Sequence, residues 1–306
     1  MLLLVSQRLL KRELPSASHG SCLLEDEMLF LVLAAAAGFM LPLSAQAEPA
    51  AELPFRYEDG LIWLKVDFAG RKEPLNFLLD SGASVNAIDL PVARSCRAQL
   101  DAKRSVEGVS GPSFAYLLKD LQVRVGGTAL AYPILAMDLG AISKRCHRRI
   151  DGILGVDFFR KRAARIDFKA RKIWLLNDFD MNAANCVVLP IEKRNGALCV
   201  PVRIAGNAAM QWMRLDTGCD SALEWVVRGT EKRRMNGSSI GLATPSVHYI
   251  NTSAWIGKRR FDGAVTGIHA NSIFPGEDGL VGNGLLSKFC VTIDEQRSRV
   301  IFEGAR

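Results

Sequence analysis

The chain has 306 residues, 49% of them hydrophobic, which is enough for one large domain or two ordinary ones. Lysine and arginine exceed aspartate and glutamate by 39 to 32, a net charge of +7. The basic residues occur in short runs such as 232–234 and 258–260, without the interleaved aromatic residues of a base-stacking surface. The pattern indicates solvated strand ends and loops, so we expect no nucleic-acid partner.

Residues 1–47 differ from the rest and are typical of an export signal. An apolar stretch over 28–43 is followed by residues 45–47, Ala-Gln-Ala, the small-x-small pattern of a cleavage site. The stretch is short and broken by glycine and proline, which disfavours a membrane span. We expect an exported, periplasmic or secreted protein, cleaved after Ala47 and without a stable membrane span in its mature form. The acidic flank before the stretch leaves two alternatives, translation from Met28 or an uncleaved anchor.

The first part of the mature chain predicts short strands separated by turns. A polar stretch without periodicity, residues 177–185, is the predicted linker to the second part. The predicted elements before it are strands over 61–68, 75–79 and 84–90, hairpins over 106–114 and 121–135, a short helix over 156–159, and closing strands over 164–168 and 172–176.

Two acidic turns stand out because each follows an apolar strand. Asp80 comes directly after the run 75–79 and is followed by a serine and a glycine. Asp216 follows residues 213–215 and is followed by a threonine and a glycine. A carboxylate rarely follows bulky apolar residues unless nearby groups compensate its burial. The hydroxyl and the glycine, which permits a tight turn, are suited to that task.

The two turns belong to an internal repeat. The offset that aligns Asp216 with Asp80 also aligns Gly196 with Gly60 and Gly206 with Gly70. At a slightly shorter offset, residues 278–282 match residues 151–155. The repeat predicts two lobes of similar architecture, the first over 48–180 and the second over 181–306.

Docking of two such lobes about a pseudo-two-fold axis would bring the equivalent turns together. Two carboxyl groups in contact cannot both ionise cheaply, so one keeps its proton and the pair titrates as a unit. Such a pair supplies a general base and a general acid. The alternative is that Asp80 and Asp216 are structural turn residues that cap backbone N–H groups. The four histidines show no metal-ligand spacing with cysteines, and we expect no metal or cofactor.

At these residues the chain resembles the retropepsin-like aspartic proteases. The resemblance rests on residues 80–83 and 216–218 and on the apolar-apolar-glycine triplets at 153–155 and 280–282. It implies an all-β fold of two retropepsin-like lobes in one chain, as in exported bacterial proteins, with the active site between the lobes. The implied roles are catalysis by Asp80 and Asp216, support of the catalytic loops by Ser81, Gly82, Thr217 and Gly218, and threading of the two triplets behind these loops.

The resemblance also implies two glycine-rich flaps over a peptide or protein substrate. Their alternative reading is ordinary hairpin turns, since glycine-rich loops are common. The flap residues would be Gly108, Val109, Ser110 and Gly111 in the first lobe, and Gly237, Ser238 and Ser239 in the second.

The predicted function is therefore that of an aspartic endopeptidase, a monomer because one chain carries both motifs. Cys219 departs from the family pattern, which has alanine, serine or threonine beside the second motif. It favours the alternative of an inactive peptide-binding or scaffold protein, although a buried inert thiol is the common state of such a cysteine. Export permits disulfides, and we expect Cys96 to pair with Cys146, the two cysteines of the first lobe.

Overall fold

The computed structural model describes residues 3–4, 51–108, 111–119, 123–130, 134–177, 186–207, 209–228 and 248–304. Strands dominate, as an all-β fold requires. They are β1 (Leu3–Leu4), β2 (Ala51–Pro54), β3 (Arg56–Glu58), β4 (Leu61–Phe68), β5 (Leu75–Leu79), β6 (Asn86–Asp89), β7 (Gln99–Gly108), β8 (Gly111–Lys119), β9 (Val123–Val125), β10 (Thr128–Ala129), β11 (Ile134–Met137), β12 (Gly152–Leu154), β13 (Ala163–Asp167), β14 (Lys172–Leu176), β15 (Cys186–Pro190), β16 (Glu192–Arg194), β17 (Ala197–Ile204), β18 (Gln211–Asp216), β19 (Leu223–Val226), β20 (His248–Ile256), β21 (Arg259–His269), β22 (Gly279–Gly282), β23 (Phe289–Asp294) and β24 (Arg299–Gly304).

The helices are short. They are α1 (Leu90–Ser95), α2 (Gly140–Arg145), the 3₁₀ helix η1 (Val156–Phe159) and α3 (Asn283–Leu286). In the described part of the chain, none of the helices has the length and apolar character needed to cross a bilayer.

The first sheet contains eleven strands in the order β1-β7-β8-β11-β6-β12-β5-β4-β9-β10, with β3 beside β4. One of its inner strands is β5, whose residues Phe77, Leu78 and Leu79 are fully buried. The short strand β12 runs parallel to β5 and antiparallel to β6, so Leu154 lies beside Leu79. This pairing fixes the end of β5, where the first acidic turn begins.

The third sheet repeats these pairings in the second part of the chain. It has seven strands in the order β16-β17-β18-β22-β19-β21-β20, and β17 also pairs with β20, which closes the sheet into a barrel. Strand β22 runs parallel to β18 and antiparallel to β19, as β12 does with β5 and β6. Val281 therefore lies beside Leu215, the residue that precedes the second acidic turn.

The second sheet joins the two parts of the chain. Its six strands follow the order β15-β24-β23-β13-β14-β2, and β13 from the first part pairs directly with β23 from the second. Ile166 and Val291 are opposite each other in this pair and are both buried. Because β13 and β23 follow the loops behind the two acidic turns, their pairing ties the two halves together beneath those turns.

The structure confirms most of the elements predicted for the first part and corrects two. The predicted helix over 156–159 is present as η1, and the hairpin around 106–114 is formed by β7 and β8. The strand predicted over 84–90 ends at Asp89, because Pro91 suits the first turn of a helix and α1 begins at Leu90. The hairpin predicted over 121–135 is reduced to β9 and β10, and β11 pairs elsewhere.

The predicted disulfide is wrong. Neither Cys96 nor Cys146 forms a disulfide, and none joins the other cysteines of the described residues. Each of the two follows its own helix, Cys96 after α1 and Cys146 after α2. Cys96 lies near Arg71, whereas Cys146 lines a cleft beside the second acidic turn. Their common lobe therefore does not make them neighbours.

Candidate active site

The ends of β5 and β18 place the two acidic turns in the interior of the molecule. Asp80 follows β5 immediately, and its backbone N–H donates to the carbonyl of Leu154 at 2.9 Å. Asp216 is the last residue of β18 and is paired with Gly282 of β22. Both aspartates are buried, with exposed fractions of 0% and 1%. The parallel strand beside each turn thus fixes the backbone position of the aspartate.

Crossed hydrogen bonds join the two turns through the residues that follow the aspartates. The Ser81 N–H donates to Oγ1 of Thr217 at 2.9 Å, and the Thr217 N–H donates to Oγ of Ser81 at 3.0 Å. The Ser81 hydroxyl donates to the carbonyl of Leu215 at 2.7 Å, and the Thr217 hydroxyl donates to that of Leu79 at 3.0 Å. Each hydroxyl therefore accepts from the opposite turn and donates to the strand leading into it.

The glycines of the two turns allow the carboxyl groups to approach. A Cβ atom on Gly82 would lie 2.5 Å from Cγ of Asp216, and one on Gly218 would lie 2.5 Å from Cγ of Asp80. Both distances are too short for any side chain larger than hydrogen. Each carboxyl group therefore packs against the glycine of the other turn, and the structure brings Asp80 and Asp216 together.

The two carboxyl groups are held by backbone donors and affect each other's charge. Oδ1 of Asp80 accepts from the N–H groups of Gly82 at 2.9 Å and Ala83 at 3.0 Å, and Oδ1 of Asp216 accepts from the Gly218 N–H at 2.9 Å. Burial, followed by the neighbouring charge of Asp216, raises the pKa of Asp80 to about 8.

The second oxygen of Asp80 indicates where a proton would be held. Oδ2 is buried and has no hydrogen-bond donor among the described residues. A hydrogen bond to the carboxyl group of Asp216 forms only when one of the two is protonated, and this bond also raises the pKa of Asp80. The pair is therefore arranged to share one proton.

The apolar-glycine triplets lie directly behind the turns. A Cβ atom on Gly155 would lie 2.3 Å from the carbonyl oxygen of Val85, and one on Gly282 would lie 2.3 Å from that of Ser221. The next residue after each glycine donates its N–H to the turn, from Val156 to Ala83 and from Asn283 to Cys219, both at 2.7 Å. Only glycine permits this close passage of backbone behind backbone.

Asp151 and Asp278 have structural contacts in these loops. Oδ2 of Asp151 accepts from the N–H of Asn76, and Oδ2 of Asp278 accepts from that of Trp212, both at 2.9 Å. Each carboxylate therefore ties the loop before β12 or β22 to the strand that carries an acidic turn.

A cleft of about 660 Å³ opens beside Gly218. Residues from both parts of the chain line it, and the imidazole of His269 pairs with the carboxylate of Glu224 on its second-part side. The lining includes Asp59, Leu61, Cys146, Cys219, Asp220 and Tyr249. The cleft is thus large enough for a substrate side chain beside the second acidic turn, and its lining includes neither Asp80 nor Asp216.

Only part of the predicted flaps falls within the described residues. Gly108 and Gly111 are paired at the ends of β7 and β8, as a hairpin tip requires. Val109 and Ser110, and the second set of Gly237, Ser238 and Ser239, lie outside the described residues.

Cys219, the departure from the family pattern, lies in the interior. Its thiol is 3.1 Å from the hydroxyl of Ser221, and 5% of the residue is exposed. Burial, followed by the charge of Asp216, raises its pKa to about 12, so the thiol is neutral at ordinary pH. Within the described residues, no group of His, Cys, Asp and Glu side chains has the arrangement of a metal site.

Two functional-site features were missed by the sequence reasoning. The fully buried Arg214 donates to the carbonyl of Gly82 at 2.6 Å and forms an ion pair with Glu277. The side chain of Asn283 donates to the carbonyls of Gly60 and Thr217, both at 2.7 Å. A signal for the first was present, since Arg214 aligns with Leu78 in the repeat and is a charge in a buried position.

The all-β fold, with a buried pair of aspartates each packed against a glycine, is consistent with an aspartyl protease fold. Comparison with protein families matches residues 64–158 to the aspartyl protease family. The match supports an aspartyl protease relationship for a stretch that begins in β4, contains Asp80 and ends in η1. Asp216 and the second turn lie beyond it. A search of curated proteins gave no significant match to the chain.

Proposed function

We propose that the chain is an aspartic endopeptidase that hydrolyses peptide bonds with a water molecule activated between Asp80 and Asp216. The observation that carries the proposal is the mutual packing of each carboxyl group against the glycine of the opposite turn. The crossed hydroxyls of Ser81 and Thr217 keep this geometry rigid. The aspartyl protease match over 64–158 supports the same chemistry at the first turn.

The chemistry follows from a pair that shares one proton. The ionised carboxylate takes a proton from water as the water oxygen attacks the carbonyl carbon of the substrate. The protonated carboxyl group donates to the carbonyl oxygen and stabilises the tetrahedral intermediate. The aspartate that took the proton from water then gives it to the amide nitrogen, while the other takes a proton back from a hydroxyl of the intermediate, so that the C–N bond breaks and an amine and a carboxylic acid are released. Each aspartate thus acts once as acid and once as base over a full cycle.

The proposal includes a tandem architecture in which residues 48–180 and 181–306 are two retropepsin-like lobes about a pseudo-two-fold axis. The repeated pairing of β12 with β5 and of β22 with β18 supports it. In this account the protein acts as a monomer, its substrate crosses the cleft beside Gly218, and the hairpin tips around 108–111 and 237–239 cover the substrate.

We also propose that the protein acts outside the cytoplasm, after removal of residues 1–47. The support is the apolar stretch over 28–43 with the small-x-small pattern that follows it. The N-terminal sequence of the purified mature protein tests this directly, and a start at Glu48 is the expected result.

The test of function compares the purified wild type with Asp80→Asn on a mixed peptide library. New peptide termini should appear with the wild type and be almost absent with Asp80→Asn. Asp262→Asn is a matched control, because Asp262 is an exposed carboxylate of β21 paired with Arg260. A wild type that binds peptides without cleaving them would favour the inactive binding protein instead.

A further inference from the structure

Arg214 is a buried cation two residues before the second aspartate. Its side chain is 0% exposed, and its Nε donates to Glu277 at 2.7 Å, with a second bond from Nη2 to the same carboxylate. The guanidinium also lies 3.6 Å from the ring centroid of Phe274. The two hydrogen bonds to Glu277 and the contact with the ring of Phe274 together hold the guanidinium of Arg214 in a single orientation.

The remaining donor of this fixed group points to the first acidic turn. Nη1 of Arg214 donates to the carbonyl oxygen of Gly82 at 2.6 Å. The N–H of the same peptide unit, which belongs to Ala83, donates to Oδ1 of Asp80 at 3.0 Å. The Gly82–Ala83 peptide group therefore connects the two side chains, because its carbonyl oxygen accepts from Arg214 and its N–H donates to Asp80.

This connection is found on one side of the repeat only. The residue equivalent to Arg214 is Leu78, and the residue equivalent to Glu277 is Ile150, and both are fully buried in one apolar cluster. The strand register is the same, because Arg214 is paired with Leu280 as Leu78 is with Ile153. The second part of the chain has therefore exchanged an apolar pair for an ion pair directed at the other turn.

We propose that Arg214 is a positioning residue for the proposed peptidase reaction, which holds the Gly82–Ala83 peptide and through it favours the ionised form of Asp80. The inference rests on the proposed function for its effect on rate, but its effect on the carboxyl group is independent of any substrate. A hydrogen bond from the cationic Arg214 polarises the Gly82–Ala83 peptide. The hydrogen bond from the Ala83 N–H to the carboxylate of Asp80 is thereby strengthened.

The other groups around the peptide do not supply the same effect. Asp216 faces Asp80 directly and opposes its ionisation. Glu277 binds the Nε and Nη2 edge of the guanidinium, whereas Nη1 is the donor to the Gly82 turn. Cys199 is also near the ion pair, but burial, the largest cause, raises the pKa of its thiol to about 12, which keeps it neutral.

The internal repeat provides the replacement for a test. The double variant Arg214→Leu, Glu277→Ile copies the apolar pair of Leu78 and Ile150 and leaves no unpaired buried charge. Glu277→Gln is the matched control, because it retains Arg214 and its bond to Gly82. The readouts are circular dichroism for folding, ¹³C NMR titration of the Asp80 carboxyl group, assigned by its loss in Asp80→Asn, and kcat and KM on a cleaved peptide.

In the folded double variant we expect the titration midpoint of Asp80 to rise by about one pH unit, the lower end of the effect of one opposite charge. Because Asp80 is the protonated member of the pair, we expect kcat at a pH between the wild-type and variant midpoints to rise by up to about tenfold, with KM within about twofold of the wild type. Glu277→Gln should not raise the midpoint. An unchanged midpoint in the folded double variant, or an equal rise in Glu277→Gln, would overturn the proposal.

Two further outcomes are provided for. If the wild type cleaves no peptide, the proposed function fails, but the NMR midpoints still decide the role of Arg214. If the double variant does not fold, Arg214→Lys replaces it. A lysine keeps the positive charge but lacks the planar guanidinium whose donors reach both Glu277 and Gly82. The midpoint should then rise by a smaller amount, and a midpoint and kcat equal to those of the wild type would overturn the proposal.

Discussion

Ser81 and Thr217 each accept a hydrogen bond from the backbone N–H of the other, at 3.0 and 2.9 Å. Each hydroxyl then donates to the carbonyl of the residue two positions before the other, Leu215 or Leu79. All four bonds are buried, so the two turns cannot separate without exposing four unsatisfied backbone groups. This exchange links the two parts of the chain at the acidic pair itself.

Thr217→Val should therefore weaken the site and the fold together. Valine has the same shape but leaves the Ser81 N–H and the Leu79 carbonyl without their partner, at a cost of about 2 kcal/mol or more. The free energy of unfolding, measured with urea, should fall by that amount, and any peptidase rate should fall with it. Thr217→Ser is the control, since serine occupies the equivalent position 81, and a loss as large as that of valine would contradict the role of the hydroxyl.

Gly82→Ala should separate the carboxyl groups without removing either. The added methyl would lie 2.5 Å from Cγ of Asp216, and a fully buried site offers no room to relax. We expect the rate of peptide cleavage to fall by at least about a hundredfold, the scale of loss for a misplacement of about 1 Å. In Gly304→Ala the methyl meets only the flexible end of Arg259, so that control should keep its activity.

The raised pKa of Asp80 predicts how stability depends on pH. In the folded protein this carboxyl group holds its proton up to about pH 8, whereas its ordinary value is 3.8. Between these values the folded state binds a proton that the unfolded chain has released, so this contribution to stability is complete below about pH 4 and is lost as the pH rises to 8. The slope is at most about 1.4 kcal/mol per pH unit.

Urea unfolding of the wild type and of Asp80→Asn from pH 4 to 8 measures this contribution. The stability of Asp80→Asn should fall less over that range, since asparagine does not titrate. Carboxyl groups that do not contact Asp80 are present in both proteins and cancel, so the difference between the curves reports the Asp80–Asp216 pair. Parallel curves for the two proteins would show that the Asp80 proton is not retained on folding.

Cys219 should be dispensable for catalysis. Its thiol is buried and neutral and contacts Ser221, and the equivalent residue of the first turn is Ala83. We expect Cys219→Ala to keep kcat within about twofold, since it replaces a small inert side chain by a smaller one. A thiol reagent at pH 7 should label the partly exposed Cys96, Cys146 and Cys186 before Cys219. Loss of activity in Cys219→Ala would assign the thiol a direct part in the site.

The sequence predicted the parts of the structure that depend on local chemistry and on the repeat. Asp80 and Asp216 could be found because a carboxylate after an apolar strand is rare, and its recurrence in matching surroundings is rarer. The all-β character followed from short apolar runs between glycine turns. Asp151 and Asp278, the first residues of the two matching stretches, also take equivalent structural contacts, each with the N–H of a strand residue.

Features that depend on three-dimensional neighbours were not accessible in the same way. Arg214 and Glu277 are far apart in the chain, and only the fold brings them into one buried ion pair. The Cys96–Cys146 bridge failed because membership of one lobe does not specify proximity. Helix α1 was not predicted, because its six residues are too few for a helical period to show.

The most direct test of the account is the rate of peptide cleavage by Asp216→Asn. Asp216 lies outside the stretch that matches the aspartyl protease family, so its role depends on the pairing of the two turns alone. Asparagine keeps the shape and removes the titrating group. We predict that Asp216→Asn loses nearly all activity while retaining its circular dichroism spectrum, and that Asp80→Asn, Asp216→Asn together is little worse, because the pair acts as a unit. A folded Asp216→Asn that cleaves peptides at the wild-type rate would contradict the account.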